Sequence, residues 1–483
     1  MATSSKAGTQ GSLTNDDLAP VPLEKRTWTT WDIAALWVGM AVCIPTYTMA
    51  SNLIGGGMNW WQALLAVLLG NVIVLIPMVL NAHPGTAYGI PFPVLLRASF
   101  GIYGANVAAL LRGIVACGWF GIQTWFGGAA IYSTAALIFG FDPAAKTPIA
   151  GLGISSGQFL CFLIFWAINV YFILKGMNSI KWLEKLSAPF LLLIGLVMLG
   201  WALSAADGFG PILVQPSSFA TNAEAWTAFG AGLTAMVGFW ATLSLNIPDF
   251  SRYAVSQKAQ IVGQAIALPT TMAFYSFIGI VVTSATVIVF GKAIWDPVEL
   301  ISMFGSPLIS IIALLALSIA TLSTNIAANV VSPANDFSNL APRHISFKMG
   351  GMITAVIGIL MMPWKLVADP SGYIFTWLIG YSALLGPIGG IMIADYYIHR
   401  RKKLDVAALY YTHGIYRYQS GYSIVSLATF ALAVLPNIPG FLMQIGVLDK
   451  SNFFAGLYNY AWFIGFGIAF FAYLTLRRFF PNK

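Results

Sequence analysis

Twelve apolar stretches, each long enough to cross a bilayer, constrain this chain more than any other feature. A span needs about 20 mostly apolar residues. On that measure spans 1 to 12 fall at roughly 29–54, 60–82, 104–139, 156–174, 185–204, 226–247, 263–290, 306–331, 350–366, 371–395, 421–436 and 455–476. Only 8% of the 483 residues are charged, against about 25% in soluble domains. The expected fold class is therefore an all-α polytopic membrane protein with 12 transmembrane helices. Span 3 is too long for a straight crossing and is expected to tilt or to carry an interfacial end.

Two of the spans share an interruption. Trp37 is followed seven residues later by Ile44-Pro45, then Thr46 and Tyr47. Trp240, 203 residues on, is followed by Ile247-Pro248, then Asp249 and Phe250. Each Pro stands where a membrane helix would otherwise continue, so both spans are expected to be broken. Phe100-Gly101 closes a loop before span 3, and Phe304-Gly305 does the same before span 8. Spans 1–5 and 6–10 thus read as two repeats. Five is odd, so the second enters the membrane from the opposite side, as an inverted 5+5 repeat. The expected division is a tail at 1–27, repeat 1 at 28–204, repeat 2 at 205–397, and spans 11 and 12 with the C-terminus at 398–483. The last two spans are expected to be peripheral.

The net charge of +8 implies no nucleic-acid partner, because Lys and Arg gather in cytoplasmic loops of membrane proteins. With the N-terminus inside, 19 Lys/Arg fall inside and 4 outside, leaving Arg112 within span 3. That bias places both termini in the cytoplasm, in a multi-pass protein of the plasma or inner membrane. The cluster His399-Arg-Arg-Lys-Lys403 reads as part of this signal, with a lipid-headgroup contact as second choice. Cys43, Cys117 and Cys161 lie in apolar segments with no disulfide or zinc spacing. The polar N-terminus lacks an apolar h-region behind a basic one, so a cleaved signal peptide is not expected.

Catalytic signatures are missing. No Asp, Glu or His stands near the middle of a span, and there is no HExxH or P-loop. An enzyme is therefore not expected. A cationic substrate would want a buried carboxylate and an anionic one a buried Arg. Only Arg112 is available, so a neutral substrate is expected. Span 3 carries Trp119 and Gln123 one turn apart, and span 8 carries Asn325 and Asn329 in the same relation. Amides at hydrocarbon depth need partners. They either bond between helices or line a pocket in which indoles stack on a flat heterocycle and carboxamides meet its lactam edge. Ser323 and Thr324 either bond back to the preceding turn or join freed carbonyls between Gly39 and Val42 around a desolvated Na⁺.

At these residues the chain resembles the nucleobase–cation symport family 1. The resemblance runs over residues 23–420. It rests on Glu-Lys-Arg-Thr-Trp28, the loop Phe-Pro-Val-Leu-Leu-Arg-Ala-Ser-Phe-Gly101, Trp119-Phe-Gly-Ile-Gln123, Asn-Ile-Pro-Asp-Phe250, Ser323-Thr324-Asn325 through Pro333, and Gly386-Pro-Ile-Gly-Gly-Ile-Met-Ile-Ala-Asp395. It implies the leucine-transporter-type 5+5 fold, alternating access, and uptake of a ring compound with Na⁺ or H⁺. By position it implies that Trp119 and Trp240 cover the two ring faces, while Gln123 and Asn329 bond the edge. It places the cation on the backbone of Gly39, Val42 and Ala320 and the hydroxyls of Ser323 and Thr324. Both hydroxyls are present, which favours Na⁺ as coupling ion. Cys43 stands where relatives tend to carry Asn or Gln, and Phe239 where the hydantoin type has Gly. These departures favour a compact ring: uracil, a dihydropyrimidine or a small hydantoin. The alternatives are an H⁺-coupled allantoin or purine/cytosine permease, or an amino-acid carrier of the same fold. The expected partners are that substrate and the lipid bilayer, with no obligate protein partner.

Overall fold

The computed structural model describes residues 13–143, 147–175, 177–449 and 451–480, without the side chains of 177–188 and 452. Lys6, Lys146, Lys450 and Lys483, and the side chains of Lys181, Glu184 and Lys185, lie outside that description. Among the described residues every regular element is helical, and pairing between extended segments is limited to isolated bridges such as Trp28 with Ala254. Seven helices are long and apolar enough to cross a membrane, and a bent pair makes an eighth. The other expected spans correspond to helices that are shorter, interrupted or closed by basic residues: Met177–Ala205, Asn222–Asn246 broken near its end, Phe347–Leu360 and Ala461–Phe479.

Span 1 is that bent pair. Its halves, Thr30–Ala41 and Ile44–Gly55, meet at 55°. Pro45 cannot donate to the carbonyl of Ala41, four residues back, and its ring crowds that turn. Cys43 is accordingly extended (φ −148°, ψ 160°), and Pro45 falls in the first turn of the second half, where its missing N–H is harmless. The N-terminal end of the first half is closed by a reciprocal cap, Thr29 with Asp32.

Span 6 is broken differently from the expectation. Its helix ends at Phe239, and Trp240 sits at φ −100°, ψ 6° before a short helix Ala241–Asn246 resumes. Pro248 lies beyond this break, at the first position of a further turn, Pro248–Ser251. The Pro therefore marks a second, inner kink.

A further correction concerns the segment before span 3. Phe92–Phe100 is a buried helix, not a loop. It ends at Gly101, whose φ is +93°, and a Cβ there would sit 2.5 Å from Gly421 O. Only glycine meets both conditions without strain.

Span 3, Ala105–Phe139, is the central rod of the bundle. At about 1.5 Å per residue its 35 residues exceed a bilayer's hydrocarbon thickness. Small residues let neighbours close in on it. A Cβ at Gly121 would come 2.5 Å from Gly358 O of span 9, and one at Gly128 would come 2.6 Å from Phe162 Cα of span 4. Span 8 packs along its length, runs from Pro307 to Asn329, kinks at Val330 and continues to Leu340. Span 10 carries π-helical turns at both ends, Gly372–Leu378 and Ala394–His399. Span 12 packs directly against span 10. Toward its C-terminal end Tyr473 Oη donates to Asp395 Oδ1 at 2.6 Å, and Arg400, from the expected topogenic cluster, pairs with Asp395 Oδ2 at 2.6 Å.

Arg112 is not available to a substrate. Its guanidinium lies 2.8 Å from Asp336 of span 8, with both side chains fully buried. The pair joins span 3 near its N-terminal end to the helix that follows the span 8 kink, and neutralises the one cation that the sequence leaves within a span.

Candidate substrate and cation sites

The two breaks meet the middle of spans 3 and 8 at one cavity of about 30 Å³, room for only a few waters. Its walls include Cys43 from the span 1 break, Trp119 and Gln123 from span 3, Phe239 and Trp240 from the span 6 break, and Asn329 from span 8. Six of the seven substrate-site candidates are thus brought together. Asn325 is the seventh and is not among the cavity walls. Its Nδ2 instead faces Phe120 O, Thr124 Oγ1 and Asn169 Oδ1 at 3.1–3.2 Å.

The aromatic wall is denser than the sequence suggested. Phe239 stands edge-on to Trp119 (centroids 5.2 Å, 73°) and to Trp240 (5.0 Å, 87°). It wedges between the two indoles. Trp37 meets Trp240 edge-on at 5.2 Å. Span 10 surrounds Trp119 with Tyr373, Trp377 and Tyr381 at 5.9–6.4 Å. Tyr381 also donates to Gly238 O at 2.8 Å, which satisfies a carbonyl released at the span 6 break. The aromatic spacing Trp377 and Tyr381, one turn apart, was the sequence signal for this wall.

Polar atoms at the cavity residues are conspicuously unpaired. Gln123 Oε1 and Trp240 Nε1 are buried and have no hydrogen-bond partner in the protein. A buried polar group left unpaired costs about 1–3 kcal/mol, so such atoms mark where a polar ligand would be welcome. Cys43 offers little: its Sγ lies 3.2 Å from Thr46 Oγ1 and is already engaged. Its repeat counterpart Asn246 faces away, donating to Ser332 Oγ of span 8.

The second candidate group lies where span 1 touches span 8. In a continuous helix Gly39 O would accept from the N–H of residue 43, and Val42 O from that of residue 46. Here Cys43 N–H turns to Ala41 O and Thr46 N–H to Cys43 O. The carbonyls of Gly39 and Val42 therefore lose their helical donors. On span 8, Thr324 Oγ1 donates to Ala320 O at 2.8 Å, leaving its lone pairs free. Ser323 Oγ is buried without a partner. Freed carbonyls and hydroxyl oxygens without a full charge suit a monovalent cation.

A family model described as permease for cytosine/purines, uracil, thiamine and allantoin matches residues 20–465. The chain belongs to the nucleobase–cation symport family 1. It is 46% identical over 467 residues to a purine-uracil permease of Arabidopsis thaliana, covering 96% of this chain and 77% of that protein. It is 42% identical over 474 residues to an allantoin permease of Bacillus subtilis, covering 97% and 94%. Among solved structures, the inward-facing conformation of Mhp1 superposes with a TM-score of 0.78 at 28% identity, covering 97% and 94%. Mhp1 in a closed conformation with bromovinylhydantoin bound gives 0.77 at 27% identity, covering 97% of each chain. The family members matched are permeases, and this chain is a multi-pass membrane transporter of that family with the leucine-transporter-type fold.

Proposed function

We propose that this permease carries a neutral nucleobase-like heterocycle into the cell together with Na⁺, by alternating access. The observation that carries the reading is the convergence of two helix breaks on a cavity walled by two indoles and two carboxamides, with Gln123 Oε1 and Trp240 Nε1 unpaired. Trp119 and Trp240 would cover the ring faces. Gln123, Asn329 and the Trp240 N–H would meet a ring edge that alternates N–H and C=O. No charged side chain lines the cavity, and the Arg112–Asp336 pair is closed on itself, which supports a neutral ligand. Phe239 limits the ring to a compact one such as uracil, a dihydropyrimidine or a small hydantoin.

The coupling ion would sit among the carbonyls of Gly39, Val42 and Ala320 and the hydroxyls of Ser323 and Thr324. Binding there tightens the broken span 1 beside the ring, so each ligand raises the other's affinity by the same factor. One Na⁺ moving down about 100 mV releases about 2.3 kcal/mol, enough for modest accumulation. In this reading both termini are cytoplasmic, the membrane is the plasma or inner membrane, the repeats are 28–204 and 205–397, and one helix bundle rocks on the other.

The experiment is uptake into proteoliposomes of uracil, cytosine, dihydrouracil, hydantoin, allantoin and hypoxanthine, under an imposed Na⁺ gradient and then an H⁺ gradient. Saturable, Na⁺-driven uptake of a small N–H ring is expected. Uptake driven only by H⁺ would overturn the cation assignment, and no uptake of any ring would overturn the substrate class.

A further inference from the structure

Asn325 stays out of the cavity because it is held in a chain of buried amides, and that chain has a direction. Its root is Asn169 of span 4, whose Nδ2 donates to Phe165 O at 2.9 Å. A backbone carbonyl can only accept, so the other end of this amide is Oδ1. That Oδ1 accepts from Asn325 Nδ2 at 3.1 Å. The same Nδ2 faces Phe120 O at 3.2 Å and Thr124 Oγ1 at 3.1 Å. Thr124 spends its own proton on Phe120 O at 2.7 Å, so it too presents a lone pair to Asn325. Turning the Asn325 amide over would aim its oxygen at three acceptors. Its orientation is therefore dictated by the surroundings, as an amide assignment requires.

The direction passes on by one turn. With Nδ2 of Asn325 committed, its Oδ1 accepts from Asn329 Nδ2 at 3.0 Å. Asn329 lines the cavity, and the orientation so fixed keeps its carbonyl oxygen uncommitted for a ligand, beside the second N–H of its Nδ2. Asn169, Asn325 and Thr124 are fully buried, so water does not compete to relax the chain.

We propose that Asn169 and Asn325 are positioning residues that hold the Asn329 amide in one orientation, with its carbonyl oxygen at a fixed place on the ligand edge, so that the cavity selects rings presenting N–H there over rings presenting a bare nitrogen. The inference rests on the heterocycle reading above and adds to it a specificity device two side chains removed from the ligand. A bare ring nitrogen opposite Asn329 would set acceptor against acceptor and leave both unpaired. That mismatch is worth at least roughly tenfold in binding.

The test is displacement of whichever labelled ring the parent protein takes up, by uracil and by cytosine, which at two adjacent ring positions present an N–H and a carbonyl against a bare nitrogen and an amino group. In the parent, uracil should displace at least about tenfold better. In Asn325→Leu, Asn329 Nδ2 loses its acceptor and either end of the amide can face the ring. The uracil-to-cytosine ratio should then fall to roughly threefold or less, while the Na⁺ dependence of the remaining binding is unchanged. Equal loss of both ligands with the ratio intact would overturn the proposal and leave Asn325 a packing residue. If Asn325→Leu does not accumulate, Asn169→Leu is measured instead. It removes one of three acceptors and should lower the ratio in part; an unchanged ratio overturns the proposal. Equal displacement by both rings in the parent also overturns it, and leaves the heterocycle reading standing. Failure of every ring to bind the parent would instead remove the heterocycle reading.

Discussion

Replacing Phe239 with Ala should change which rings this permease accepts. Phe239 is buried and edge-on to both cavity indoles, at 5.2 Å from Trp119 and 5.0 Å from Trp240. Each such pair contributes about 0.5–1.5 kcal/mol beyond burial, so the two together order the indoles by about 1–3 kcal/mol. Truncation should also lower stability by about 3–5 kcal/mol, because a buried phenyl ring leaves a void. A substituent on the ligand ring can refill that void. The bromovinyl group, present on the hydantoin bound to closed Mhp1, adds three heavy atoms; at about 0.8 kcal/mol per buried methylene equivalent it should gain about 2 kcal/mol, roughly 30-fold. The assay is competition against labelled uptake by hydantoin and by bromovinylhydantoin, in parent and variant, with thermal unfolding in detergent as the folding control. The ratio of the two inhibition constants should shift by at least about tenfold toward the substituted ring. A folded variant with an unchanged ratio would show that Phe239 does not bound the ligand.

Thr324→Ala and Ser323→Ala should each raise the Na⁺ concentration for half-maximal uptake by roughly 10- to 100-fold, the loss of one oxygen contact to a charged group; an unchanged Na⁺ dependence would remove them from the cation site. Trp119→Ala should weaken every ring ligand by roughly 5- to 150-fold, as removal of a stacking face does elsewhere, read as a loss of displaceable equilibrium binding. Asp336→Asn should destabilise the protein by about 3–5 kcal/mol, because it strips the buried Arg112 of its counter-charge. The double change Arg112→Met with Asp336→Leu should recover most of that in the same thermal assay. Gly101→Ala should cost about 1–3 kcal/mol through strain and overpacking against Gly421 O, and normal thermal stability would contradict the close approach.

The fold was legible because lipid imposes it. Apolar runs of about 20 residues announce spans without any knowledge of packing, and Pro45 announced the break in span 1 because it removes a specific donor. The same reasoning misplaced the break in span 6. Pro248 is the visible punctuation there, yet the helix gives way at Trp240, where no residue forbids helix and the reason is tertiary: Tyr381 takes up Gly238 O. Phe92–Phe100 read as a loop because Pro91 before it and Pro93 and Arg97 within it interrupt the apolar run. Those prolines sit around the start of a helix, where they are tolerated. Gln123 and Asn329 were legible as pocket candidates because amides are rare and costly at that depth. Asn325 has the same signal and a different place, since periodicity tells which face a residue is on and not which acceptors it meets there. Asn169 stands alone among apolar residues of span 4. That isolation was a signal too, but only its partners across the interface give it a direction.

The two breaks, alike in sequence, leave their freed backbone groups in different states, and this asymmetry supports giving them different work. In span 1 the Pro lies inside the broken turn, so the carbonyls of Gly39 and Val42 lose their helical donors as the N–H groups of Cys43 and Thr46 turn elsewhere. In span 6 the Pro lies beyond the break, and the released carbonyl of Gly238 is taken up by the Tyr381 hydroxyl at 2.8 Å. A cation needs several uncommitted oxygens at once, which the first break offers in the carbonyls of Gly39 and Val42. What the second break leaves uncommitted is a donor, the indole N–H of Trp240, which suits a ring carbonyl and would repel a cation. The first break therefore suits the cation, and the second the ring, of the proposed symport, although the repeats that carry them share a pattern.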